Sequence, residues 1–151
     1  MPGLSTDVPA VPGTYVLLLE CSAPARIRIG RLGMLPLRAG YYLYIGSAFG
    51  PGGLAARIRH HRRPAPRPHW HIDYLRRRAR LDAVWWVRGQ RCEHEWAARI
   101  AQMPGAIVPM AGFGSSDCDC AAHLFWFSAR PALLRQVEFF QIERVDSVPA
   151  H

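Results

Sequence analysis

The stretch that most constrains this chain is residues 46–53 (GSAFGPGG), where four glycines and a proline read as a turn-forming loop that ends any strand entering it. The two sides of that break differ in pattern. Before it, Gly40 opens residues 41–45 (YYLYI), an aromatic run suited to a strand. After it, Leu54, Ile58 and His61 recur at helical spacing with Arg57 beside their stripe, until Pro64, Pro66 and Pro68 stop the helix. The middle of the chain is therefore strand, glycine loop, helix.

The same reading extends outward. Residues 14–20 (TYVLLLE) form a compact apolar run and predict a buried strand. Residues 26–31 (RIRIGR) alternate arginine with isoleucine, as a half-buried edge strand would. Helices are expected over 69–78 and 91–102, the latter with Cys92, Trp96 and Ile100 inward and Glu95 at its edge. Strands are expected over 81–87 and 123–128, and Pro131 suits the first turn of a last helix ending near Ile142. This order predicts an α+β fold with a small, largely antiparallel sheet flanked by helices. One domain fits the 151 residues, with a core over about 13–102 and a strand–helix extension over about 103–146.

Charge narrows the partner. The formal net charge is +8, and every basic side chain is arginine. Nine arginines and four histidines fall between Arg57 and Arg80 against one acid, Asp73. A planar guanidinium donates paired hydrogen bonds to phosphate, so this clustering points to nucleic acid, whereas a solvated basic face is the bland alternative. No apolar run approaches a membrane span and the N-terminus lacks signal-peptide features, so a cytoplasmic location is the expectation. No membrane contact and no obligate protein partner are implied. The four cysteines are expected to be free of disulfides there.

Gly13-Thr14-Tyr15 opens the first strand and Tyr44-Ile45-Gly46 closes the aromatic one. Followed by Ser47, the glycine loop and Leu54-Ala55-Ala56-Arg57, these tripeptides resemble the GIY-YIG nuclease superfamily. His61 stands four residues after Arg57, and Cys92-Glu93-His94-Glu95-Trp96 resembles the superfamily's later helix with a metal-binding glutamate. Residues 69–74 (HWHIDY) and 112–118 (GFGSSDC) resemble its Uri-type endonuclease branch. The interval from Tyr15 to Tyr44 is long for the superfamily, which implies an inserted strand or loop around residues 26–38.

The resemblance implies metal-dependent hydrolysis of DNA phosphodiesters by Tyr15, Tyr44, Arg57, His61 and Glu95. Glu95, with Glu93 as fallback, would hold Mg²⁺ or Mn²⁺, since hard oxygen ligands and an incomplete protein shell suit those ions. Arg57 would hold the phosphate. A tyrosine could position or deprotonate the attacking water, the latter only beside a cation, because a phenol ordinarily titrates near ~10. Arg59, Arg62, Arg63, His69, His71, Ser115 and Ser116 are candidates for backbone contacts. For His69, His71 and Asp73, capping or phosphate contact competes with metal binding.

Two other readings stay open. One is a nucleic-acid-binding module on an inactive nuclease scaffold. The other is a zinc-stabilised interaction protein using Cys92, Cys118, Cys120 and His123, although C-x-C spacing is less typical of zinc than C-x-x-C.

Overall fold

A computed structural model of the chain describes residues 8–114, 122–131 and 143–145. Among these lie strands β1 (Gly13–Cys21), β2 (Ala25–Ile29), β3 (Gly33–Leu37), β4 (Gly40–Ala48), β5 (Arg80–Arg88), β6 (Leu124–Phe127) and β7 (Glu143–Val145). The helices are α1 (Gly53–His61), α2 (His71–Arg76) and α3 (Glu93–Ala101). The expected α+β class holds. Five strands form one sheet in the order β6-β4-β1-β5-β7, with every pairing antiparallel.

The unbroken apolar run in β1 has a simple cause: the central strand is buried on both faces. Tyr15, Leu17 and Leu19 point to one side, where they pack with Tyr42, Tyr44, Leu54, Ile58, Ile72 and Leu75. Val16 and Leu18 point to the other, against Leu43, Ile45, Trp85 and, on α3, Trp96 and Ile100. Side chains alternate across a strand, so one continuous apolar segment supplies two cores.

The inserted segment is a two-stranded ribbon, β2–β3. Its alternation is as the sequence predicts, with Ile27 and Ile29 buried and Arg26 and Arg28 exposed. β3 itself has no period that marked it beforehand.

Three boundaries differ from expectation. β4 continues through Gly46 and Ser47 to Ala48, because Gly46 pairs directly with Tyr15. A Cβ on Gly46 would lie 2.4 Å from the Tyr15 ring, so this glycine lets an aromatic ring cross the strand and does not end it. The helix expected from residue 69 starts at His71. Asp73 explains this: its Oδ2 accepts from the amides of His69 and Trp70 at 2.8 and 3.0 Å, holding Trp70 extended just outside the helix. The third helix likewise begins later than residue 91, at Glu93. The last helix expected after Pro131 falls outside the described residues.

Candidate functional site at the open end of β4

β6 pairs with β4 only from Tyr41 to Tyr44. Beyond that point the β4 edge keeps one bond from this side, Ile45 N–H to the His123 carbonyl at 3.0 Å. An open pocket of about 490 Å³ lies there, with Tyr44, Ile45, Gly46 and Ser47 along its floor. Arg57, His69, Trp70 and His71 also line it, together with Arg91, Glu93, His94, Gly114 and His123.

Tyr44 and Tyr15 share one face of the sheet because Leu17 opposes Tyr44 and Gly46 opposes Tyr15. Their ring centroids are 6.5 Å apart. Tyr44 lines the pocket, whereas Tyr15 is sealed behind it at 1% exposure. Tyr15 Oη is hydrogen-bonded to His61 Nε2 at 2.8 Å. Burial pushes the Tyr15 phenol well above its usual range, and Tyr44 raises it further, while Arg57 opposes both. Tyr44 is pushed up to about 12 by burial, again against Arg57. Burial and the neighbouring His60 depress His61 to about 3, so its imidazole is neutral at ordinary pH. Its Nδ1 is buried without a hydrogen-bond partner among the described residues.

Arg57 is placed from two directions. Its Nη1 donates to the Ser47 carbonyl at 3.1 Å, and its guanidinium lies 4.3 Å from the Trp70 ring centroid. A guanidinium stacked on an aromatic face and tied to a carbonyl keeps its orientation and still offers donors.

The carboxylate on the pocket wall is Glu93, and this corrects the preferred sequence assignment. Glu95 does not line the pocket; it is exposed and pairs with Arg99 one turn along α3, at 3.4 Å. Residues two apart on a helix point to nearly opposite sides, and the roll of α3 is fixed by burying Trp96, Ala97 and Ile100. That roll turns Glu93 inward. The N-terminus of α3 is further tied to β1 through Thr14, which was not singled out in the sequence. Its buried hydroxyl donates to the Gln90 carbonyl at 2.7 Å and accepts from Cys92 N–H at 3.1 Å.

Other candidates divide by position. His69 and His71 are on the pocket wall. Arg59 and Arg63 are exposed and Arg62 is half-buried, all outside the pocket lining. Ser115, Ser116, Cys118 and Cys120 lie outside the described residues. Cys92 is a half-buried free thiol that precedes α3, and burial raises its pKa. His123 lines the pocket beside His94, with 6.0 Å between ring centroids. Not every arginine of the basic stretch is available to a partner. Arg76 donates to the carbonyls of His61, Arg62 and Ala79 at 2.8–2.9 Å, which satisfies the end of α1.

Ligating atoms of His60, His61 and Asp73 lie within 4.8 Å of one another. Asp73 already accepts from two amides and is paired with His60 Nε2 at 2.8 Å, while Arg57 and Arg76 both add positive potential at His61. The cluster acts as a hydrogen-bonded anchor between α1 and α2. At the pocket itself, one carboxylate with neighbouring imidazoles is a donor set that fits a divalent cation keeping several waters.

Fold and site together define an α+β protein with a basic, histidine-lined pocket at an open sheet edge. The chain belongs to the family described as domain of unknown function DUF123, whose model matches residues 14–144. No curated protein and no solved structure matches it. Among the described residues, no helix is long and apolar enough to cross a membrane.

Proposed function

We propose that this protein is a divalent-metal-dependent endonuclease of the GIY-YIG type that hydrolyses DNA phosphodiester bonds. The observation that carries the reading is convergence: Tyr44, Arg57 and Glu93 come from three separate elements and line one pocket, with Tyr15 and His61 directly behind. Each residue type suits a task in phosphodiester hydrolysis. Arg57 offers a held guanidinium to the phosphate and to its developing charge. Glu93 would hold Mg²⁺ or Mn²⁺, and the bound ion would supply Lewis-acid stabilisation at the phosphate and the leaving oxygen.

Tyr44 has a narrower role than general base. With its pKa pushed up to about 12, it stays a phenol at neutral pH and positions water or phosphate by hydrogen bonding. The Tyr15–His61 pair supports it from behind. In the overall reaction, water oxygen bonds to phosphorus, the phosphorus–oxygen bond to the leaving strand breaks, and the water proton passes to solvent. The exposed Arg59 and Arg63, with the rest of the basic stretch, would grip the flanking backbone.

The test is nicking of supercoiled, branched and damaged DNA with Mg²⁺ or Mn²⁺. Wild type and Glu95→Gln should nick alike, and Glu93→Gln should lose roughly 10²–10³-fold. Absence of nicking on every substrate, or full activity in Glu93→Gln, overturns the proposal. Binding that is salt-sensitive yet indifferent to metal would then favour a non-catalytic module.

A further inference from the structure

His71 belongs to a segment that stands out in the sequence but has no part in the chemistry above. Its Nδ1 accepts a hydrogen bond from the Gly114 amide at 2.9 Å. A backbone amide can only donate, so Nδ1 must keep its lone pair free of a proton. A neutral imidazole in that position carries its hydrogen on Nε2, at the far side of the ring. Burial lowers the His71 pKa, which favours this neutral form.

The turn that imposes the tautomer is itself well anchored. Phe113 is fully buried, with its ring centroid 5.5 Å from that of His71 and 6.2 Å from that of Tyr44. His123 N–H donates to the Phe113 carbonyl at 2.8 Å. Gly114 has φ +72°, and a Cβ there would come within 3.0 Å of Tyr44. One turn thus bears on three residues of the pocket wall: Tyr44, His71 and His123.

We infer that His71 is a phosphate-contacting residue, which offers a fixed Nε2–H to an anionic oxygen on the Arg57–Trp70 side of the pocket. A ring locked this way can neither take a proton from water nor ligate a cation through Nε2 without losing its hydrogen. Donation to an oxyanion is what remains to it. The phosphate part rests on the nucleic-acid reading given above; the tautomer does not.

A long-range ¹H–¹⁵N spectrum of the histidine-labelled full chain at neutral pH reads the tautomer directly. The expected result is a pyridine-like Nδ1 and a protonated Nε2 for His71. An Nδ1–H form, or an averaged mixture, overturns the inference. A short DNA duplex added with a chelator present, so that nothing is hydrolysed, should shift the His71 Nε2 resonance; no shift overturns the phosphate contact. His71→Ala should weaken binding of the same duplex roughly tenfold, while His71→Gln, whose amide can both accept from Gly114 and donate outward, should retain most of it. Equal binding by wild type and His71→Ala counts against the contact, and the wild-type spectra decide the question should the alanine variant fail to fold. A protein with the expected spectrum and binding that never nicks DNA would sink the nuclease reading and leave this one standing.

Discussion

Tyr15 and Tyr44 lie on one face of one sheet, on adjacent strands, and still occupy different chemical worlds. Tyr15 is closed off, crosses the bare backbone of Gly46 and spends its hydroxyl on His61. Tyr44 stands where β6 stops, and its ring forms part of an open wall with Arg57 and Glu93 across the pocket. The difference is made by neighbours. A glycine opposite Tyr15 lets the ring lie down, and a short edge strand leaves Tyr44 uncovered. One tyrosine therefore builds the site, and the other faces what enters it.

The sharpest way to break that comparison is to remove the two hydroxyls separately. Tyr44→Phe should lower nicking by about 10²-fold with little change in stability. Tyr15→Phe should instead cost about 1–2 kcal/mol, because it strands His61 Nε2 in the interior. Equal effects of the two variants on both measurements would erase the distinction between a supporting and a facing tyrosine.

Gly46→Ala tests the close approach. A methyl group 2.4 Å from the Tyr15 ring forces the ring or the strand to move, and denaturant melts should show a loss of about 2–3 kcal/mol. A variant as stable as wild type would mean that Tyr15 is free to adopt another rotamer.

The sealed side should also show in the dependence of stability on pH. His61 titrates near 3 when folded and near its model value of 6.5 when unfolded, so between these values the unfolded chain binds more protons. Stability attributable to His61 is complete above about pH 6.5 and is lost as pH falls toward about 3. From about pH 7 to about pH 5 the loss should be about 2 kcal/mol, and His61→Gln should flatten that part of the curve. Asp73 adds a loss of the same sign further into acid. Burial raises its carboxyl, but the Trp70 and His69 amides and His60 together bring it below the usual value. A wild-type profile that is flat over this range would contradict a buried neutral His61.

The smallest expected effect belongs to the surface. Arg59→Ala and Arg63→Ala should each reduce the salt slope of DNA binding by about one, uniformly across sequences. If either instead changes the cleavage position, the arginine reads more than backbone charge.

Local pattern alone determined much of this protein. The apolar run of β1, the aromatic run of β4, the stripe of Leu54, Ile58 and His61, and the alternation in β2 were all legible because side-chain period reports which faces are buried. The two tripeptides and Arg57 were legible for a related reason, since they sit at fixed places within those strongly patterned elements. Where the helix boundaries fell depended on contacts that the pattern does not encode. Asp73 reaching back to two amides set the start of α2, and the hydroxyl of Thr14 tied down the approach to α3. The choice between Glu93 and Glu95 was beyond the sequence for the same reason. Both are acids in the first turn of one helix, and only the packing of Trp96, Ala97 and Ile100 against the sheet decides which of them turns toward Tyr44. Sequence fixes which residues are available to a site, but rotation of a helix about its axis is a property of the assembled core.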